Sequence, residues 1–117
     1  MAVMKPLDML KTPRECGLKL LEEASEACEE MKLLETPDGV RRAALNELCD
    51  VLQCVCNCLH ALGVTPRELS DAIVDVRARN CNRGMAEVRD ALYFSAWLFE
   101  PWGAYEEDEE DEEDGDD

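Results

Sequence analysis

The tetrapeptide Thr-Pro-Arg-Glu occurs twice, at residues 12–15 and 65–68. Each copy is a complete helix-start signal. The threonine hydroxyl can accept from the backbone three residues on, proline fits the first helical position, and the glutamate can reach back to the cap. The sequences after the two copies diverge, so they mark two helix starts rather than an internal repeat. The first predicts a helix from Pro13 to about Leu34, with Leu20, Ala24, Ala27, Met31 and Leu34 as its apolar stripe, supported by Leu21 and Cys28. Glu35-Thr-Pro-Asp-Gly39 then reads as a turn. A second helix is expected from about Asp38 to Leu62, capped by Gly63 and apolar nearly all round from Leu48 onward. The second Thr-Pro-Arg-Glu opens a third helix from Pro66 to about Asn82, and Met85 to Phe99 predicts a fourth that stops at Pro101. No segment alternates with period two for long. The expected class is all-α, an antiparallel helical bundle with short connections.

The 117 residues suit one domain, over residues 1–105, with a C-terminal helical arm at 85–105. A core from a chain this short is marginal, and a metal or a second copy would strengthen it. The formal charge of -16 is uneven: residues 106–117 hold 11 acidic side chains and no basic one, while the rest carry 17 acidic and 12 basic. Such a tail is expected to be disordered. No basic stripe is present to neutralise phosphates, which argues against a nucleic-acid partner. No run of 18 or more apolar residues argues for a membrane span, and no apolar signal segment opens the chain. A cytoplasmic setting is therefore expected. The seven cysteines then read as free thiols and small buried hydrophobes rather than a disulfide framework. Cys54, Cys56 and Cys58 lack the Cys-x-x-Cys spacing of a zinc knuckle, and His60 falls nearly opposite Cys58 on a helix.

The chemistry lies in the carboxylates. Glu23 and Glu26 are three residues apart on the first helix, and Glu47 and Asp50 are three apart on the second. Each pair projects from one helix face. If the two helices pack antiparallel, four carboxylates meet in the groove. The plain alternative is a solvated acidic face, which is accepted for Glu29 and Glu30. It fits Glu47 and Asp50 less well, because they begin the polar side of an otherwise apolar helix. Clustered carboxylates disfavour their own ionisation unless a cation joins them. An all-oxygen set suits Mg²⁺ or Mn²⁺.

The run Glu22-Glu23-Ala24-Ser25-Glu26, followed after 20 residues by Glu47-Leu48-Cys49-Asp50, resembles the two-part acidic motif of MazG-like nucleoside triphosphate pyrophosphohydrolases. The resemblance runs from about residue 13 to 84 and takes in Val76-Arg-Ala-Arg-Asn-Cys-Asn-Arg-Gly84. It implies Mg²⁺-dependent hydrolysis of a nucleoside triphosphate, NTP or dNTP, to the monophosphate and pyrophosphate. It assigns Glu23, Glu26, Glu47 and Asp50 to the metal. Glu22 would stand behind those ligands, bind a further ion, or act as the catalytic base that orients water. Arg77, Asn80 and Arg83, roughly on one side of the third helix, become candidates for phosphate contacts; the alternative is a basic helix end that complements the dipole. Lys19, one turn before Glu23, is a further substrate-binding candidate. Asn57 could reach the sugar or base, or satisfy a polar contact in the core. The family forms a four-helix bundle with a second chain, so a homodimer or homotetramer is expected. The cysteines, the acidic tail and the segment with Trp97 and Trp102 depart from the family pattern. The alternatives are a sibling nucleotide hydrolase, such as a dUTP- or dCTP-type pyrophosphatase, and a non-catalytic helical interaction protein.

Overall fold

The computed structural model describes residues 3–8, 11–92 and 94. These hold three helices and no strand: α1, Pro13–Leu33; α2, Arg41–Leu62; and α3, Pro66–Asn82. The all-α class expected from the sequence is observed. The chain divides into two compact units, one of residues 4–63 with α1 and α2, the other with α3 and, among the described residues, Val3, 64–92 and 94.

Both Thr-Pro-Arg-Glu copies act as capping boxes. The Glu15 amide donates to Thr12 Oγ1 at 3.1 Å, and the Thr12 amide donates to Glu15 Oε1 at 2.9 Å. The Glu68 amide donates to Thr65 Oγ1 at 3.2 Å, and the Thr65 amide to Glu68 Oε1 at 2.9 Å. Between α1 and α2 the chain turns on Thr36, whose hydroxyl donates to the Leu33 carbonyl at 2.7 Å and accepts from the Asp38 amide at 3.2 Å. Gly39 passes so close to Leu33 and Leu34 that a Cβ would collide with their backbone. Residues 36–39 are thus committed to the turn, and α2 begins at Arg41 rather than near Asp38. It ends at Gly63, whose φ of 69° is the left-handed cap conformation that glycine adopts freely.

Within the first unit α1 packs on α2. The covered line of α1 is Cys16, Leu20, Glu23, Ala27 and Glu30, spaced 4-3-4-3. That of α2 is Ala44, Glu47, Val51, Cys54 and Cys58, spaced 3-4-3-4. The helices run antiparallel, so Cys16 meets Cys58 and Cys54 meets Glu23. The buried apolar side chains, Cys16, Ala27, Ala44, Cys54 and Cys56, are all small and allow close approach. The apolar stripe expected on α1 is displaced. Ala24, Met31 and Leu34 are exposed, and Glu23 and Glu30 take inward positions instead. The apolar positions outnumber those that one partner helix can cover. Leu21, Ala24, Cys28 and Met31 lie about 100° around α1 from its covered line. Leu45, Leu48, Leu52, Val55 and Leu59 lie correspondingly on α2. The carboxylates flank the opposite side of each covered line, so both apolar stripes fall on the face away from them. Leu21, Met31, Leu45 and Leu48 are exposed there.

The other face of α2 carries the N-terminal segment. Gln53 Nε2 donates to the Lys5 carbonyl at 2.9 Å, the Leu7 amide donates to Asn57 Oδ1 at 2.8 Å, and the Cys56 thiol donates to the Met4 carbonyl at 3.8 Å. This explains why Cys56 is buried although it points away from α1.

In the second unit α3 has the predicted bounds and no buried residue. After it, Gly84 adopts a φ of 89° and the Met85 amide returns to the Asn80 carbonyl at 3.0 Å. Residues 85–92 are not helical, contrary to the fourth helix expected there. Two features account for this. The Arg77 guanidinium holds Glu87 through two bonds of 2.7 and 2.8 Å. Val88 and Leu92 are exposed and find no surface to cover. The rest of that segment and the acidic tail lie outside the described residues.

Candidate metal centre

Five carboxylates gather where α1 and α2 pass each other. Oxygens of Glu22, Glu23 and Glu26 lie within 4.8 Å of one another, and so do oxygens of Glu23, Glu47 and Asp50. Glu23 belongs to both groups. Its inward place on α1 lets it face α2, while Glu22 and Glu26 flank it at the rim. Opposite oxygens on one octahedral Mg²⁺ stand roughly 4.2 Å apart, twice the Mg–O distance. Small side-chain rotations would close either group on an ion.

The carboxylates raise one another's pKa. Glu26 is held above the usual carboxylate range, first by the charge of Glu23, then by desolvation, and then by Glu47 and Glu22. Glu47 is pushed up first by desolvation and then by Asp50, Glu23 and Glu30. Glu47 Oε1 is shut off from solvent and has no hydrogen-bond partner among the described residues. An acceptor in that condition is costly unless something positive meets it. Lys19 lies against the cluster, its Nζ 3.1 Å from Glu23 Oε2 and 3.4 Å from Glu22 Oε1. Those two carboxylates, Glu23 foremost, raise the Lys19 pKa. The donor set is oxygen throughout, which suits a hard divalent ion. Among the described residues no group of three metal-capable side chains includes a thiol or His60.

The other predicted site residues are distributed as follows. Lys19 and Asn57 line a cavity of about 230 Å³ with Lys11, Cys16 and Cys54. It adjoins the carboxylates: Lys19 is one turn from Glu23, and Cys54 feels the charges of both. Asn57 also anchors the N-terminal segment, so it has a structural partner as well as a place in this lining. Arg77 and Asn80 lie on α3 in the second unit, and Arg83 is its C-cap. Arg77 is engaged with Glu87, and the Asn80 carbonyl accepts the amides of Arg83 and Met85. Glu30, expected on a solvated face, is half-buried and its charge reaches Glu47. Its spacing of seven from Glu23 is the signal that could have found it.

No protein-family model, curated protein or solved structure matches this chain.

Proposed function

We propose that this protein is a Mg²⁺-dependent nucleoside triphosphate pyrophosphohydrolase, cleaving an NTP or dNTP to the monophosphate and pyrophosphate. The observation that carries the reading is the convergence of two carboxylate groups on Glu23, with the solvent-shut Glu47 oxygen beside it. Glu23, Glu26, Glu47 and Asp50 hold the metal. Glu22 completes a group with Glu23 and Glu26, which favours a ligand role toward a further ion among the options its position allows. Bound Mg²⁺ supplies neutralisation of the triphosphate and a more acidic water.

The chain's own residues supply the rest. Glu23 bridges the two groups and fixes their separation. Lys19 offers its ammonium to the phosphates once its carboxylate partners turn to the metal. The exposed apolar stripes of α1 and α2 suit coverage by a second copy, which would give a four-helix bundle.

The test is pyrophosphate release from a panel of NTPs and dNTPs, with and without Mg²⁺, by wild type and Glu47→Gln. Metal-dependent turnover that Glu47→Gln loses supports the reading. No turnover of any nucleotide sinks it, and strict preference for dUTP or dCTP selects the sibling activity.

A further inference from the structure

The thiols of the hairpin carry a second chemistry, one the carboxylates do not use. Cys16 lies in the first turn of α1, and Cys58 in the last turn of α2. Both stand on the covered lines of their helices, Cys16 buried and Cys58 half-buried. The carboxylate contact fixes the register between those lines. Oxygens of Glu23, Glu47 and Asp50 lie within 4.8 Å of one another, which sets Glu23 level with the Glu47–Asp50 turn of α2. From there Cys16 is seven residues back along α1, and Cys58 is eight residues on from Asp50. In antiparallel helices both steps lead the same way, and each covers about 11 Å. Cys16 and Cys58 therefore come level on facing lines, at the open end of the hairpin. Cys54, one turn before Cys58, already shares a cavity lining with Cys16. Burial, and after it the Cys16 thiol, push the Cys58 thiol up, so the two groups sense each other's charge. Among the described residues no three metal-capable groups that include a thiol converge. Chemistry between two sulfurs asks for less. A disulfide needs its Cα atoms within about 7 Å, and the small side chains of the seam let α1 and α2 approach closely.

We propose that Cys16 and Cys58 form a reversible disulfide that closes the open end of the hairpin, made by exchange with a low-molecular-weight disulfide. Cys58, the more exposed of the two, reacts first. Its thiolate attacks one sulfur of the small disulfide, and a mixed disulfide forms as the first small thiolate leaves. The Cys16 thiolate then attacks the Cys58 sulfur and expels the second. Two protein sulfurs are oxidised, one small disulfide is reduced to two thiols, and the protein thiol protons pass through solvent to the departing thiolates. Excess small thiol runs the same steps backward to the pair of free thiols found in the structure. The link encloses the turn and the clustered carboxylates in one covalent loop from residue 16 to residue 58. It restricts the unfolded chain over that length and so stabilises the hairpin. No step depends on the pyrophosphohydrolase reading.

The experiment incubates the full chain, without metal or nucleotide, in glutathione buffers from fully reduced to fully oxidised. Mass spectrometry with fragmentation maps the links, and thermal melts follow stability. Oxidation is expected to join Cys16 to Cys58 within one chain and to raise Tm by about 10 °C. Added dithiothreitol should reverse both. Cys58→Ser should abolish the link and the rise, whereas Cys28→Ser, at an exposed position of α1, should keep them. Cys16 joined chiefly to Cys54 or to a second chain would overturn the proposal. So would a Cys16 that stays free or glutathione-capped in the oxidised buffer, or a Tm rise that survives in Cys58→Ser. Should Cys58→Ser not fold, the wild-type map decides: without a Cys16–Cys58 link the proposal fails.

Discussion

Replacing Glu23 and Glu22 in turn by glutamine separates a shared ligand from a peripheral one. Glu23 sits in both carboxylate groups, and its side chain is 13% exposed; Glu22 sits in one and is 58% exposed. Both changes break an ion pair with Lys19, so that loss is common to the two variants and cancels in their comparison. Residues that merely support a ligand cost 10- to 100-fold in metal affinity when removed, as an order of magnitude. A ligand that serves both groups should therefore cost at least about 100-fold. Glu22, at the solvent-screened rim, should cost about tenfold or less. Mn²⁺ titration followed by electron paramagnetic resonance reads both numbers on the full chain without any substrate. The expected order is wild type, then Glu22→Gln, then Glu23→Gln, with the larger gap at the second step. Equal losses in the two variants, or unchanged Mn²⁺ binding in Glu23→Gln, would refute the idea that the groups converge on Glu23.

The folded state raises the Glu47 pKa, so it holds that proton more tightly than the unfolded chain; the resulting stability is full below about 4.5 and is lost as pH rises through the folded value. Thermal melts without metal should therefore show wild type losing Tm relative to Glu47→Gln from that pH toward neutrality, and Mg²⁺ should restore wild type alone. Ala27 is buried against α2, and Ala27→Leu should overpack the hairpin at a cost of about 1–3 kcal/mol, read by urea unfolding. Burial pushes the Cys54, Cys56 and Cys58 thiols up, whereas Cys28, Cys49 and Cys81 are exposed. A thiol reagent at neutral pH should label the exposed three first, and equal rates throughout would contradict the packing.

Helix starts were legible because their signals are local. Thr12 and Thr65 need only the three residues that come after them, and Gly63 needs only its own freedom at positive φ. The facing of α1 was not legible in the same way. Hydropathy favours Leu20, Ala24, Ala27, Met31 and Leu34, but α2 brings Glu47 into the seam, and Glu23 and Glu30 turn to meet it. Charge on an inward line erases the periodicity by which such lines are found. The closeness of Glu23, Glu26, Glu47 and Asp50 was legible, because a spacing of three keeps each pair on one face whichever face is covered. Glu30 escaped because it lies outside that spacing. Asn57 shows a different limit. Its side chain is fixed by Leu7, 50 residues away, and no local rule links the two. Residues 85–92, the described start of the expected fourth helix, are not helical; an apolar stretch becomes a helix only where something covers it. Val88 and Leu92 are uncovered.

The position of Lys19 bears on how such a protein is made and kept. If the proposed site takes Mg²⁺, the Lys19 ammonium, which lies on Glu23 and Glu22, holds the place of the incoming ion. Metal loading would then be an exchange of partners rather than an addition, and the hairpin could close α1 on α2 while divalent cations are scarce.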